Sequence, residues 1–192
     1  MEGWNLIMTG KQHVAIGTTI GFIGTYYYLG GNFSPSNVKD FALPIIAGSV
    51  LGSWAPDVDS KKSKGAQIVN NLILLAVLAL GAAHYLDISI LNKSISYVTD
   101  TVVGNLGLLI FIVNVLLGRL SSHRQYTHRV IGTAIACVSA YMAFPTYIAL
   151  GYIIGYVSHI LADRFTAAGK HLNFFRLQLP MFTSKGKFHV SL

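Results

Sequence analysis

Apolar stretches of helical length alternate with short polar segments along the whole chain. Periodic runs rich in glycine, alanine, isoleucine and leucine predict helices, and the polar segments between them hold most of the charged residues. We predict six helices, at about residues 11–30, 41–55, 67–85, 101–118, 126–143 and 145–168. A helix needs about 20 apolar residues to cross a bilayer. The second stretch is therefore short for a span, and it ends at Pro56.

A proline decides how the last apolar region is divided. Residues 130–157 form a run of 28 residues without a charge. A single helix of that length would measure about 42 Å, against about 30 Å for the hydrocarbon core of a bilayer. Phe144, Pro145 and Thr146 lie in the middle of the run. We therefore predict a tight hairpin at Pro145 between the fifth and sixth helices.

The composition agrees with a membrane protein. The 192 residues are 53% hydrophobic and only 11% charged, with a mean hydropathy of +0.54, whereas soluble domains carry about 25% charged residues. We expect an all-α polytopic membrane helix bundle over residues 1–169. A basic and aromatic tail, residues 170–192, is expected at the membrane interface. The single cysteine, Cys137, excludes an intrachain disulfide.

The basic residues predict an orientation. If both termini are cytoplasmic, 12 of the 14 lysines and arginines lie on the cytoplasmic side, and only Lys39 and Lys93 lie on the other. This pattern predicts a multi-pass protein of a bacterial or archaeal cytoplasmic (inner) membrane. The net charge of +7 does not indicate nucleic acid as a partner, because the basic residues flank apolar stretches and form no soluble patch.

One pair of ionisable residues stands at the end of the sixth predicted helix. His159 and Asp163 are four residues apart and share a helix face. Gly151 and Gly155 continue that face backwards, and we assign them to close helix packing. Taken alone, the pair could equally be a buried structural hydrogen bond.

The predicted topology brings further histidines and aspartates to the same membrane face. Seven candidate metal ligands come from four separate segments: His13, Asp57, Asp59, His123, His128, His159 and Asp163. Imidazole and carboxylate groups suit zinc, which we expect first, and also manganese or iron. Seven donors exceed the need of one tetrahedral ion, so one or two ions fit. Two-metal sites favour phosphoester hydrolysis, in which the ion supplies hydroxide by lowering the pKa of a water.

Further residues are candidates for the chemistry itself. Asp57 or Asp59 could act as general base where it does not bind the metal. Arg124 and Arg164, with Arg129 beside them, could hold a phosphate group through paired hydrogen bonds. Taken singly, the arginines could be explained by the usual excess of positive residues on the cytoplasmic side of membrane helices. The two aspartates could belong to an ordinary turn.

Four blocks of residues occur together in the order of a known family. They are His13; Pro56-Asp57-Val58-Asp59; His123-Arg124-Gln125-Tyr126-Thr127-His128-Arg129; and Gly155-Tyr156-Val157-Ser158-His159-Ile160-Leu161-Ala162-Asp163 followed by Phe165-Thr166-Ala167-Ala168-Gly169. The set resembles the YdjM-like family of inner-membrane proteins, which are classed as membrane-bound metal-dependent hydrolases. The family usually has glycine at Gln125, serine at Arg129, and His-Pro at Ser60 and Lys61. None of these differences replaces a candidate ligand. They affect instead the residues expected to contact the substrate.

The sequence therefore predicts a membrane-embedded metal-dependent hydrolase with a His/Asp site at the cytoplasmic face. Its expected substrate is a phosphoester of a membrane lipid or a lipid-linked molecule. A metal-ion transporter or sensor is the alternative, and it would need polar groups across the membrane. Only Asn70, Asn71 and Asn114 are prominent there. A third alternative is a membrane protein whose metal is purely structural, which would require a closed site.

Overall fold

The computed structural model describes residues 9–60, 67–68, 71, 102–166, 173–183 and 185–190. Within these residues the chain is helical, and no strand forms beyond one antiparallel bridge between Phe182 and Phe188. The five longer helices are α1 (Gly10–Tyr28), α2 (Leu43–Trp54), α3 (Val102–Leu120), α4 (Val130–Ala143) and α5 (Thr146–Asp163). The predicted all-α class is confirmed.

Helix α2 belongs to a longer helical segment, Pro35–Asp59. A helical turn Pro35–Asn37 and a π turn Val38–Ala42 precede it, and a 3-10 turn Pro56–Asp59 follows it. The hydroxyl of Ser34 accepts a hydrogen bond from the Asn37 amide at 3.2 Å, which starts the segment. The predicted start of the second helix at about residue 41 was too late, because this cap and Pro35 begin a helix at residue 35.

Other predicted boundaries shift by a few residues. Helix α4 begins at Val130, four residues after the predicted start, because residues 121–129 form a turn-rich loop. Helix α5 ends at Asp163, before the predicted end at 168. The predicted helix at 67–85 lies almost entirely outside the described residues, as does the polar segment that follows it.

The predicted break at Pro145 is present. Helix α4 ends at Ala143, Phe144 and Pro145 are extended, and α5 starts at Thr146. The two helices then pack against each other through a buried apolar cluster of Ala136, Ala140, Tyr152, Tyr156 and Ile160. This hairpin carries the C-terminal end of α5 back to the loop that precedes α4.

Helices α2 and α5 touch backbone to backbone. A β-carbon at Gly48 would overlap the Ile148 carbonyl, and one at Gly52 would overlap the Tyr152 carbonyl. On the facing helix, a β-carbon at Gly155 would overlap the Ser49 carbonyl. Glycine is required at these positions because any side chain would push the helices apart. This contact sets the spacing between the ends of both helices, where the ionisable residues lie.

The outer surface of the bundle is apolar, while its helix contacts are made by small residues. Large hydrophobic side chains are exposed on every longer helix, among them Phe22, Leu51, Leu109, Val138 and Leu161. Such a surface suits contact with lipid. By length and composition, one described segment, Pro35–Asp59, is a candidate membrane span, and Asn105–Leu120 and Val130–Ala143 are apolar but shorter.

Candidate metal centre

The seven predicted ligand side chains meet at one end of the bundle. His13 comes from the first turn of α1, and Asp57 and Asp59 come from the 3-10 turn after α2. His123 and His128 lie in the loop between α3 and α4, and His159 and Asp163 lie in the last turns of α5. The hairpin and the α2–α5 contact thus join segments that are far apart in sequence.

His159 is fixed by the backbone of α2. Its Nδ1 nitrogen donates a hydrogen bond to the carbonyl oxygen of Ser53 at 2.8 Å. Nε2 is then the nitrogen that keeps its lone pair, and it lies 3.6 Å from Oδ1 of Asp57 without a hydrogen-bond partner among the described residues. The ring also stacks on His13, with ring centroids 4.0 Å apart.

Asp163 lies between several cationic or potentially cationic groups. Its Oδ1 is 3.3 Å from Nε2 of His13 and accepts a hydrogen bond from the Arg124 guanidinium at 3.2 Å. Its Oδ2 lies 3.3 Å from Nε2 of His128. Burial alone would favour the neutral acid, but these neighbouring groups hold the carboxylate in the ionised form.

Asp59 organises the loop before α4. Its carboxylate is within 2.7 Å of Nδ1 of His123 and accepts hydrogen bonds from the amide of Arg124 at 2.7 Å and the hydroxyl of Thr127 at 2.8 Å. Arg124 reaches this position in a left-handed conformation with φ of 60°, which side chains other than glycine adopt only at a cost. The strain is maintained by the paired contacts of Arg124 with Asp59 and Asp163.

Thr127 orients His128. The single proton of its hydroxyl goes to Asp59, so the hydroxyl oxygen accepts from Nδ1 of His128 at 2.9 Å. Nε2 of His128 then faces Asp163 and Asp57, with the latter at 3.9 Å. Burial alone would lower the pKa of His128, but Asp163 and Asp59 outweigh it and raise that pKa to about 9.

The donor set fits a divalent ion. Three groups each offer ligand atoms within 4.8 Å of one another: His13, His159 and Asp163; Asp57, His128 and His159; and Asp57, Asp59 and His123. Nε2 of His159 is buried without a hydrogen-bond partner among the described residues, and Nε2 of His128 and Oδ2 of Asp163 face each other at 3.3 Å as an ion pair that does not reach hydrogen-bond geometry. Buried polar atoms normally have partners, so their convergence marks a place for an ion. The shared Asp57 and His159 allow one ion or two.

One side of the cluster is open. The side chain of His123 is 46% exposed, that of Arg124 is 23% exposed and that of Asp57 is 22% exposed, whereas the other five candidate ligands are buried. Metal sites that serve catalysis keep a position for water or substrate, while structural sites are closed. Asp57, His123 and Arg124 therefore surround the access to the cluster.

Comparison with protein families matches residues 8–190 to the model of the YdjM inner membrane protein. The chain belongs to the YdjM family. The predicted resemblance is thereby confirmed over nearly the whole chain, and the inner membrane is the location that the family name gives. No curated protein and no solved structure matches the chain.

In this YdjM family member the structure gathers all seven predicted ligands, and it places the predicted catalytic arginines differently. Arg124 reaches Asp163 directly. Arg164 is exposed just beyond α5, and within the described residues its side chain makes no ion pair or hydrogen bond with the cluster. Its catalytic role stays a prediction.

Three further residues hold the site, and sequence reasoning missed them. Ser53 acts through its carbonyl, which carries no sequence signal. Thr127 lies within the predicted His123–His128 segment and was not singled out there. Tyr156, one turn before His159, donates a hydrogen bond to the Thr127 carbonyl at 2.7 Å and so ties the loop to α5.

Proposed function

We propose that this protein is a membrane-embedded metal-dependent hydrolase that acts on a phosphoester of a lipid or lipid-linked substrate. The observation that carries the proposal is the open side of a buried His/Asp cluster whose unpartnered donor atoms converge. When bound, a divalent ion supplies Lewis acidity and lowers the pKa of a water. Zinc suits the mixed nitrogen and oxygen donors best, with manganese and iron as alternatives.

The residues around the opening have separate tasks in this proposal. Nε2 of His159 and the carboxylate of Asp163, with His13 or His128 as a third donor, would hold the ion. Asp57 is partly exposed at the opening, where its carboxylate can accept a proton from the attacking water. The guanidinium of Arg124 is partly exposed and donates to Asp163, and it would also bind a phosphoryl oxygen of the substrate.

The proposed substrate class follows from the exposed surface at the end of α5. The end of α5 places exposed Leu161 and Phe165 on either side of exposed Arg164. Apolar and cationic groups at one place match a molecule with an acyl chain and a phosphate. We place the cluster at the cytoplasmic face of a six-span bundle with both termini inside, as the distribution of lysine and arginine indicates.

Helix packing favours a hydrolase over a transporter. Transport would require a polar path that continues from the cluster between the helices. In the described residues, a β-carbon at Gly17 or Gly21 of α1 would overlap the hydroxyl of Ser53 or Ser49, and α2 and α5 touch through their backbones. These contacts leave no space for a hydrated path between the three helices.

The test is metal analysis and activity on the purified protein. We expect bound zinc, manganese or iron, and hydrolysis of a lipid phosphoester that His159→Ala abolishes and Arg124→Gln reduces while metal is retained. Wild-type protein that purifies free of metal and cannot be loaded would sink the proposal. Metal uptake into proteoliposomes would identify a transporter instead. Tightly bound metal that is inert toward phosphoesters would identify a structural site.

A further inference from the structure

Two groups of side chains stand at opposite ends of the same three helical segments. The first group, which we call the aromatic set, consists of Tyr28 in α1, Phe41 in the segment Pro35–Asp59 and Tyr147 in α5. Its ring centroids lie 4.7–6.4 Å apart. The opposite ends of these segments supply the cluster with His13, Asp57 and Asp163. The three segments are therefore in register at both ends, and the separation of the two groups follows from the helix lengths.

This separation is shorter than the thickness of a typical bilayer core. Helix α1 is continuous from His13 to Tyr28, which are 15 residues apart, or about 22 Å along the axis. Helix α5 is continuous from Tyr147 to Asp163, which are 16 residues apart, or about 24 Å. The hydrocarbon core measures about 30 Å, and any tilt shortens the distance that a helix covers across it. The two groups therefore cannot lie at the two edges of a core of that thickness.

The aromatic set marks one interface between lipid and water. Tyr28 is 66% exposed and its neighbour Tyr27 is 78% exposed, and tyrosine is enriched where the headgroups meet the hydrocarbon. The exposed charges of Lys39 and Asp40 directly precede Phe41, and such charges are costly inside the hydrocarbon. The hydrocarbon core therefore begins near the aromatic set and extends from there toward the cluster.

Apolar side chains remain exposed up to the level of the cluster. Leu161 and Phe165, two residues before and after Asp163, are 55% and 69% exposed. Lys11 and Arg164 are exposed at the same level. Long basic side chains keep their stems on an apolar surface while their charges reach the headgroups. Acyl chains can thus contact the bundle up to Asp163, where two cations are available to lipid phosphates.

We propose that the bilayer surrounds the cluster, so that its ligand side chains lie no further out than the phosphates of the neighbouring lipids. Either the cluster lies about 6–8 Å inside the hydrocarbon core, or the bilayer thins by about that amount around the bundle. In both cases the substrate is a molecule anchored in the bilayer whose reacting phosphate is attached directly to its anchor. This statement about the substrate rests on the proposed function, whereas the depth of the cluster does not.

The depth is measured with single spin labels on the full-length protein in nanodiscs of phosphatidylethanolamine and phosphatidylglycerol. Collision rates with oxygen, which enters the hydrocarbon, are compared with those of a polar nickel chelate, which stays in water. Cys137→Ala removes the one native cysteine, and Leu161→Cys then carries the label at the level of the cluster. Leu109→Cys, on the exposed side of α3, is the reference in lipid, and Ser36→Cys, in the exposed turn before Phe41, is the reference in water.

The label at residue 161 should resemble the reference in lipid. We expect its ratio of oxygen to chelate collisions to exceed that at residue 36 at least about tenfold, because moving a polar molecule into hydrocarbon costs about 2 kcal/mol or more. A ratio at residue 161 equal to that at residue 36 would place the cluster in water and overturn the proposal.

A matched pair of substrates tests the second part. Phosphatidic acid in the nanodisc carries its phosphate directly on the membrane anchor, and glycerol 3-phosphate carries the same group in water. We expect hydrolysis of the lipid and little or none of the soluble compound. Equal rates would overturn the assignment of an anchored substrate. Hydrolysis of neither, with the label at residue 161 in lipid, would count against the proposed hydrolase while supporting the depth of the cluster.

Discussion

The Nδ1 nitrogen of His159 and the carbonyl oxygen of Ser53 are joined by a hydrogen bond of 2.8 Å. The two residues belong to different helices. The packing of α2 against α5 therefore determines the orientation of the imidazole ring of His159. The bond leaves Nε2 facing Asp57 and His128. Metal-binding histidines usually donate their other nitrogen to such a partner, which fixes the tautomer.

Replacing His159 should abolish metal binding. His159→Gln removes a donor shared by two of the three candidate ligand groups, and it keeps a similar volume. Loss of a residue that only orients a metal ligand lowers metal affinity by up to about 100-fold. Loss of a ligand should cost more, so we expect metal affinity to fall by more than about 100-fold. Elemental analysis after dialysis against the metal measures this. Lys187→Gln, on the exposed tail, is the control, and equal metal content in the two variants would contradict the assignment.

We expect Thr127 to contribute to metal affinity through its hydroxyl group alone. Thr127→Val keeps the shape of the side chain but removes the link between Asp59 and His128. We expect a loss of about 10- to 100-fold in metal affinity, as for other groups that orient ligands. Thr127→Ser restores the hydroxyl and should restore affinity to near wild type. If the valine variant binds metal as tightly as the serine variant, the hydroxyl has no orienting role.

Adding one carbon between α2 and α5 should disturb the site from a distance. In Gly52→Ala the new methyl group would overlap the Tyr152 carbonyl, so the helices must separate and Ser53 moves away from His159. Overpacking of this kind costs about 1–3 kcal/mol. We expect a lower midpoint of thermal unfolding and weaker metal binding.

The matched control for that change is Gly24→Ala in α1. A β-carbon there has nothing within 4 Å, so the same substitution meets open space. Its unfolding midpoint should equal or exceed that of wild type, because alanine favours a helix over glycine by about 1 kcal/mol. Equal destabilisation by both variants would show that close α2–α5 packing is not the cause.

Metal binding should release a proton at neutral pH. The pKa of His128 is raised to about 9, so the metal-free site carries a proton on this ring at pH 7. An ion at Nε2 must displace that proton, and affinity should therefore fall as the pH decreases. Above pH 9 the ring is already neutral and the release should disappear. Calorimetry in two buffers of different ionisation enthalpy counts the protons, and His128→Gln should lower the count by one at pH 7.

The sequence revealed the elements more readily than their contacts. Periodicity and the proline at 145 predicted the α4–α5 hairpin, because a charge-free run of that length cannot be one span. The spacing of His159 and Asp163 predicted their common face. The helical start at Pro35 was missed, because a serine cap and a proline look like a loop when each is considered alone.

The geometry of the cluster needed the structure. Counting charges indicated that seven side chains share a membrane face, yet it could not separate Asp59, which binds the loop, from Asp57, which borders the opening. A carbonyl such as that of Ser53 exists at every residue, so no sequence pattern marks it. The roles of the seven side chains as metal ligands remain predictions that the experiments above test.

His13 and Asp163 stand 3.3 Å apart although they lie near opposite ends of the bundle sequence. During synthesis, the ribosome completes α5 last, and only then do His159 and Asp163 exist to meet His13. A full set of donors therefore forms after the whole bundle has been made and inserted. An ion bound by either of the two donor groups that contain His159 would therefore be acquired only by the finished bundle, and its presence would report that both ends of the bundle have come together.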